Sequence, residues 1–551
     1  MDRKKVWEIR SGKVQAWLET AALAAGSALF GGLVLLLAFC GEYPERLADN
    51  RYLILMGLMC GLGGGALYYF WSHKEWKWHV KRPAFWMAAG YLLIFALQVF
   101  WVSKVYFYMG WDVNMLQYRV EAIVNGGSMA ETSADFGYSI YPNNLLLFYV
   151  FCIIEKIAML FSMEEPFHLC IYISCLCVNL ACFLGHLMVR RLTGPFMQGC
   201  YMVVCLPFIL FSPWIMSPYS DTYGMFFVAL GMWALTCLDR KYLKWIVAGF
   251  AAIIGYHVKP TCIFVLFAAW LVYGIRLLLS LRERWKELAV LVCSTVVFWC
   301  MGLCIPLWIQ HTYSFRLMPE YEMPYTHFLM MGFSESTYGA YDHDDFEYSI
   351  GFPDVESRKA ANLEAFRIRV ELMWEQGTLL EFLKNKALLN YNDGTFAWGW
   401  CNGFYALEVE HDNLLADWFQ DIMVKPGMWD NEGKYFSLYK TFMQFFWLQI
   451  LMGIMLNGFF RKERRAERAC MMTALCGLLV FHMIFEAQAR YPFLYTPVFL
   501  VLSLCGVEEI WRKGKEKAGR LLGKKSVAEE TKSRYNDLVQ EEKRVEGHEI
   551  P

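Results

Sequence analysis

Residues 245–279 read WIVAGFAAIIGYHVKPTCIFVLFAAWLVYGIRLLL. Mostly apolar runs occupy 245–257 and 260–279; Val258 and Lys259 separate them, and Pro260 opens the second. A run of about 20 apolar residues is long enough to cross the hydrocarbon of a bilayer as a helix. The run 245–257 is shorter and needs a thinned bilayer or shielding by neighbours. Proline suits the first turn of a helix, so the stretch predicts two membrane helices joined at a tight corner. That corner holds a lysine.

The same texture continues in both directions. Apolar runs sit at 14–40, 52–72, 84–106, 143–162, 167–189, 196–213, 222–238, 288–309, 441–460, 469–485 and 492–511. Hydrophobic residues make up 57% of the 551 and aromatic residues 17%, which fits repeated spans with aromatic belts at their ends. The net charge of −1 gives no electrostatic case for a nucleic-acid partner. The first run follows Arg3, Lys4 and Lys5 and is too long for a signal-peptide core, so it reads as a retained helix. The 18 cysteines lie almost all in apolar runs and read as small buried hydrophobes; Cys401 is the exception.

Counting every run as a span turns Arg190/Arg191 and Arg276/Arg282/Arg284/Lys286 outward, against the positive-inside rule. Laying 143–162 on the outer surface repairs this. That segment carries Glu155 and Lys156 in its interior, which an interfacial helix tolerates better than a span. The expected fold is an all-α polytopic membrane protein with about 12 transmembrane helices plus juxtamembrane helices and a mixed extracytoplasmic loop domain. Its parts are an N-terminal transmembrane module at 1–309, with a catalytic outer loop near 107–142 and the juxtamembrane helix at 143–162. A loop domain follows at 310–440, then C-terminal spans at 441–511 and a charged tail at 512–551. Both termini are expected to be cytoplasmic, in a cell membrane.

With that threading, Asp112, Asp221, Lys259 and Arg490 fall at one face, the outer one. Ionisable groups beside hydrocarbon are costly unless paired, solvated or used, so the cluster marks a candidate site. Asp112 lies in GWDVNMLQYRVEAIVNGG (110–127), whose Leu116, Val120, Ile123 and Val124 share one helical face. It serves either as the cap of that helix or as a functional carboxylate. Asp221, in FSPWIMSPYSDTYG (211–224), has the same alternatives. Lys259 reads either as a lone lysine reaching lipid phosphates or as a phosphate ligand. Arg490, in EAQARYPFLYTP (486–497), reads either as the partner of Glu486 one turn away or as a bidentate phosphate ligand. The oxygen-rich segments YDHDD (341–345) and EVEHD (408–412) make a divalent cation possible, but they lack ligand spacing and read first as solvated acidic surface. No cofactor is otherwise indicated, and no metal ligand set is assigned.

The motifs GWDVNMLQ (110–117), SIYPNNLLLFY (139–149), GHLMVRRLTG (185–194), SPYSDTYGMFF (217–227), GYHVKPT (255–261) and ARYPFLYTPVF (489–499) together resemble the GT-C superfamily of membrane glycosyltransferases. The nearer likeness is to its protein O-mannosyltransferase and aminoarabinose-transferase branch. The resemblance covers about 101–279 and 481–500. It implies an enzyme that transfers a hexose or pentose from a polyprenyl-phosphate donor to a cell-envelope acceptor (glycan, lipid or protein). It implies Asp112 as the general base, Lys259 and Arg490 as phosphate ligands, and Tyr141, Asn143 and Asp221 as donor or acceptor contacts. The sequence departs from the branch in having Val113 after Asp112, where paired Asp-Glu is common, and in two extra N-terminal spans. Independently, glycosyl transfer from a phosphate needs a base for the acceptor and positive charge for the leaving group. Direct displacement inverts the anomeric centre; double displacement would need Asp221 as nucleophile. The alternatives are a lipid-linked sugar flippase or transporter, and a polysaccharide ligase or polymerase using a diphosphate-linked donor.

Overall fold

The computed structural model describes residues 3–41, 45–73, 82–107, 109–398, 413–425, 433–458 and 464–521. Every regular element among them is helical. The order is α1 (Arg3–Cys40), α2 (Asn50–His73), α3 (Pro83–Val105), α4 (Trp111–Val124), α5 (Ala134–Ile140), α6 (Leu145–Leu160) and α7 (Phe167–Leu192). Then come α8 (Pro195–Cys205), α9 (Ser220–Cys237), α10 (Leu243–Val258), α11 (Phe264–Ala268), α12 (Ile275–Leu279) and α13 (Leu281–Thr312). The loop region holds α14 (Tyr325–Met331), α15 (His343–Ile350), α16 (Val355–Glu375), α17 (Leu379–Tyr391) and α18 (Leu414–Met423). The chain ends with α19 (Phe436–Met455), α20 (Arg465–Ile484) and α21 (Thr496–Leu521).

Ten segments are long and apolar enough to cross a bilayer, and Pro195–Leu210 and Leu243–Val258 are shorter apolar helices. With α9, whose first turn is polar, these are the thirteen segments read from the sequence. The protein is an all-helical, multi-pass integral membrane protein with about twelve spans. Pro142–Leu160 meets the length and composition of a span as well, and it keeps Glu155 buried and Lys156 exposed.

The bundle has two chemically different ends. At one, Arg191 meets Asp239 at 2.5 Å, and Arg276, Arg464 and Arg465 line a common cleft with Glu19. At the other, α3 and α20 finish, α9 begins, and α10 turns into the segment headed by Pro260. Close backbone approach holds that second end together. A Cβ on Gly224 would lie 2.8 Å from Leu494, and one on Gly255 would lie 2.8 Å from the Phe227 Cβ. Small residues of this kind let membrane helices pack tightly.

The loop between α13 and α19 docks on the second end. The Ala487 N–H donates to the Gly339 carbonyl at 2.7 Å, and the Met323 N–H to the Ile140 carbonyl at 3.1 Å. Where a mixed loop domain was expected, every described element is a helix. It has its own small core of Phe333, Met373 and Phe382, with Phe366 and Val370 packed against it. Leu363, on the same helix as Phe366 and Val370, is exposed. The loop is not uniformly separate. Tyr391, Phe396 and Trp398 belong to the main bundle core, and the Trp214 indole donates to the Thr395 carbonyl at 2.9 Å. The 310–440 boundary therefore encloses two parts, a satellite around α14–α17 and a stretch inserted into the bundle. The tail begins later than 512, because α21 continues to Leu521. The described cysteines are all free thiols.

Candidate functional site

Proline-marked corners build the site. The residue before proline is pushed out of the helical region. Lys259, before Pro260, is extended at φ −147° and ψ 120°, while its N–H closes α10 on the Gly255 carbonyl at 2.7 Å. Its side chain turns back toward α9. Tyr141 precedes Pro142, and Arg490 stands just before the turn Tyr491–Tyr495, which carries Pro492. Tyr219 follows Pro218 and caps α9 in extended conformation.

These corners converge. The Lys259 ammonium donates to Asp221 Oδ1 at 2.5 Å, and Arg490 Nε lies 3.8 Å from Asp221 Oδ2. All three side chains are buried, with exposures of 8%, 3% and 5% for Lys259, Asp221 and Arg490. The Lys259 ammonium sits 4.6 Å from the Tyr491 ring centroid, and the Arg490 guanidinium lies 5.5 Å from Tyr219 and 5.6 Å from Tyr491. Two phenol rings thus flank the guanidinium, an arrangement that strengthens when water is excluded. The Tyr219 hydroxyl donates to Asp112 Oδ2 at 2.9 Å and accepts from the Asn144 amide at 3.2 Å. A continuous polar path runs from Asp112 through Tyr219 to Arg490, Asp221 and Lys259.

Several alternatives left open by the sequence are resolved. Asp112 does not cap α4. Gly110 holds the cap position, and Asp112 lies within the first turn, exposed, with its carboxylate on Tyr219. Asp221 likewise lies inside the first turn of α9, where Thr222 closes the start by accepting from the Tyr219 N–H at 3.4 Å. Lys259 is not a lone lysine and Arg490 is not one half of a helical pair with Glu486, because 485–490 is not helical. The two cations are not isolated from each other; Asp221 stands between them. Asn143 is exposed, and the polar contact to Tyr219 is made by its neighbour Asn144. The turn Pro142–Asn144 has three residues per turn and shifts the inward position by one.

The loop domain supplies a rim. The Tyr141 ring lies 6.2 Å from Phe328 and 6.5 Å from Phe346. Burial, helped by nearby Tyr341, Glu486 and Asp112, raises the Tyr141 hydroxyl above the usual phenol range. Burial, with Glu486 and Asp112 close by, also raises Tyr341. Glu486 accepts from the Tyr491 hydroxyl at 2.9 Å, and burial pushes its carboxyl up. Tyr219, Asn144, Tyr491 and Tyr341 were not singled out from the sequence. Tyr219 and Tyr491 could have been, since each adjoins a proline in a polar corner.

The acidic segment YDHDD is used structurally. Asp342 accepts from Ser334 and Ser336 at 2.7 and 2.8 Å, and Asp345 pairs with Arg369 at 2.5 Å. EVEHD lies outside the described residues. Among the described residues, no group of three or more His, Cys, Asp and Glu converges in a way that could hold a metal ion.

A profile of the family described as conserved hypothetical integral membrane protein matches residues 52–511, from the start of α2 to within α21. The chain belongs to that family. The matched span includes every residue of the polar path. No curated protein and no solved structure matches the chain.

Proposed function

We propose that this member of the family is an inverting glycosyltransferase that moves a hexose or pentose from a polyprenyl-phosphate donor to a cell-envelope acceptor. The reaction would take place at the outer face of the cell membrane, with both termini cytoplasmic. The observation that carries this reading is the polar path itself. An exposed carboxylate, Asp112, is tied through one phenol to two buried cations that share one buried carboxylate.

The geometry supports a role for each residue. Asp112 is open to an incoming hydroxyl and takes its proton as general base. Tyr219 and Asn144 fix the carboxylate in place. Lys259, Arg490 and Asp221 sum to one net positive charge. That matches the single negative charge of a sugar phosphodiester and stabilises the phosphate as it leaves. A diphosphate-linked donor brings more negative charge than the triad balances, which disfavours the ligase or polymerase alternative. Asp221 is buried and bound to Lys259, so it orients the cations and is not placed to attack a sugar carbon. Tyr141 and the loop rim form the side against which donor or acceptor rests.

The test supplies isolated membranes with radiolabelled sugars on polyprenyl monophosphate and, separately, on polyprenyl diphosphate. Transfer from the monophosphate that Asp112→Asn abolishes supports the reading. Transfer from the diphosphate alone would replace it with a ligase or polymerase. Movement of intact donor across sealed vesicles without transfer would replace it with a flippase.

A further inference from the structure

Helices α4 and α6 run side by side in the same direction. Their starts meet through Asp112, Tyr219 and Asn144, and their far ends meet where Asn125 approaches Glu164, Glu165 and Pro166. Between them is a groove of about 550 Å³. It lies on the face of α4 opposite Asp112. Residues at positions 114, 117, 118, 121 and 125 of the chain recur at helical spacing and give that face. Four carboxylates line the groove: Glu121, Glu155, Glu164 and Glu165. No lysine or arginine lines it.

Acidic residues on a surface are ordinarily just solvated. Glu155 is different. It is 2% exposed, it lines the groove, and its Oε1 has no hydrogen-bond partner among the described residues. A buried carboxylate oxygen without a donor is costly, and a cation reaching it from the groove removes that cost. The Gln117 amide donates to Glu121 at 2.7 Å, which holds that carboxylate toward the same groove. Asn114 and Asn125 add further amide groups, and half-exposed Tyr118 offers a ring face suited to a cation. The carboxylates are strung along the groove and do not form a convergent metal-binding set. That spacing suits an extended organic ion better than one metal ion.

We propose that the α4–α6 groove binds alkylammonium groups, presented either by a soluble polyamine or by an amine-bearing lipid headgroup. The site is separate from the polar path, and none of it depends on the glycosyl-transfer reading.

The test uses the full chain purified in detergent. Spermidine is titrated by calorimetry, with magnesium at equal charge as control. Saturable spermidine binding that magnesium does not reproduce is expected. Glu155→Gln and Glu121→Gln should each weaken it by roughly 10–100-fold, the effect of losing one charge-assisted hydrogen bond. Glu121 lies on a partly exposed face, so its variant reports on the groove even where Glu155→Gln perturbs packing. In a second arm, nanodiscs of mixed phosphatidylethanolamine and phosphatidylglycerol are examined by native mass spectrometry. Selective retention of phosphatidylethanolamine, lost in the same variants, identifies the lipid source; spermidine binding without such retention identifies the soluble one. Absence of both, an equal effect of magnesium, or indifference to both variants overturns the proposal.

Discussion

Asp112 and Asp221 are both carboxylates in the first turn of a helix, yet their surroundings separate them. Asp112 is exposed and held by a neutral phenol; Asp221 is buried and held by two cations. Substitution by asparagine should therefore affect them differently. Asp112→Asn keeps the shape and can still accept from Tyr219, so yield and thermal stability should stay near wild type. Turnover in the sugar-transfer assay should fall roughly 10²–10⁴-fold, the loss typical of a removed general base. Wild-type turnover would remove Asp112 from the reaction. Asp221→Asn instead leaves Lys259 and Arg490 facing each other without a counter-charge. Losing one partner of a buried ion pair costs about 3–5 kcal/mol, so a large drop in thermal stability is expected. Adding Lys259→Met should recover much of it, because the uncompensated ammonium is gone. A double-mutant cycle read by thermal unfolding in detergent measures the coupling, and additive effects would show that the pair is not linked.

At the scale of elements, the corners decide what the sequence revealed. Apolar length and the charge of short loops predicted the spans, because hydrophobic burial and the positive-inside bias act on composition alone. Lys259 and Arg490 were legible as candidate site residues for the same reason: they are polar groups at places where a helix must turn. Asp221 was singled out with them as a donor or acceptor contact, but its pairing to both cations was not legible, since pairing depends on how α9 meets α10 across close glycine contacts. Asn144 was not singled out beside Asn143, because one short tight turn changes the helical phase. The satellite helices of the loop carry a separate, testable chemistry. His327 is fully buried on Ser349, 2.7 Å away, and burial pushes its imidazole down to about 4. The unfolded imidazole titrates near 6.5, so between these values the unfolded state binds more protons. The satellite should lose stability as pH falls from about 6.5 to about 4. Limited proteolysis of the loop at stepped pH should show accelerating cleavage over that window. His327→Gln should flatten the His327 contribution; an unchanged profile would assign the acid response to other groups.

For the whole molecule, the two ends of the bundle are chemically distinct. Arg191, Asp239 and the cleft of Arg276, Arg464 and Arg465 define one end, and the polar path defines the other. Single cysteines near Asp221 and near Arg465, in a background without reactive thiols, should therefore label from opposite sides of sealed membranes with an impermeant maleimide. Labelling from the same side would contradict the span count and the threading together. The long loop docks through backbone hydrogen bonds on the end that carries the path, the same end to which the charge threading assigns both.

The polar path also has an order in time. Its members leave the ribosome far apart: Asp112 precedes Arg490 by about 380 residues. At ordinary synthesis rates that is roughly 20–75 s. Asp221 and Lys259 emerge close together, and each neutralises the other. An ammonium and a carboxylate that cancel can wait at the bilayer; a guanidinium arriving early would have no such shelter. A nascent chain halted between α13 and α19 would thus already hold the matched pair, while the path stays incomplete until the final helices are threaded. Translation itself sets when the polar path is complete.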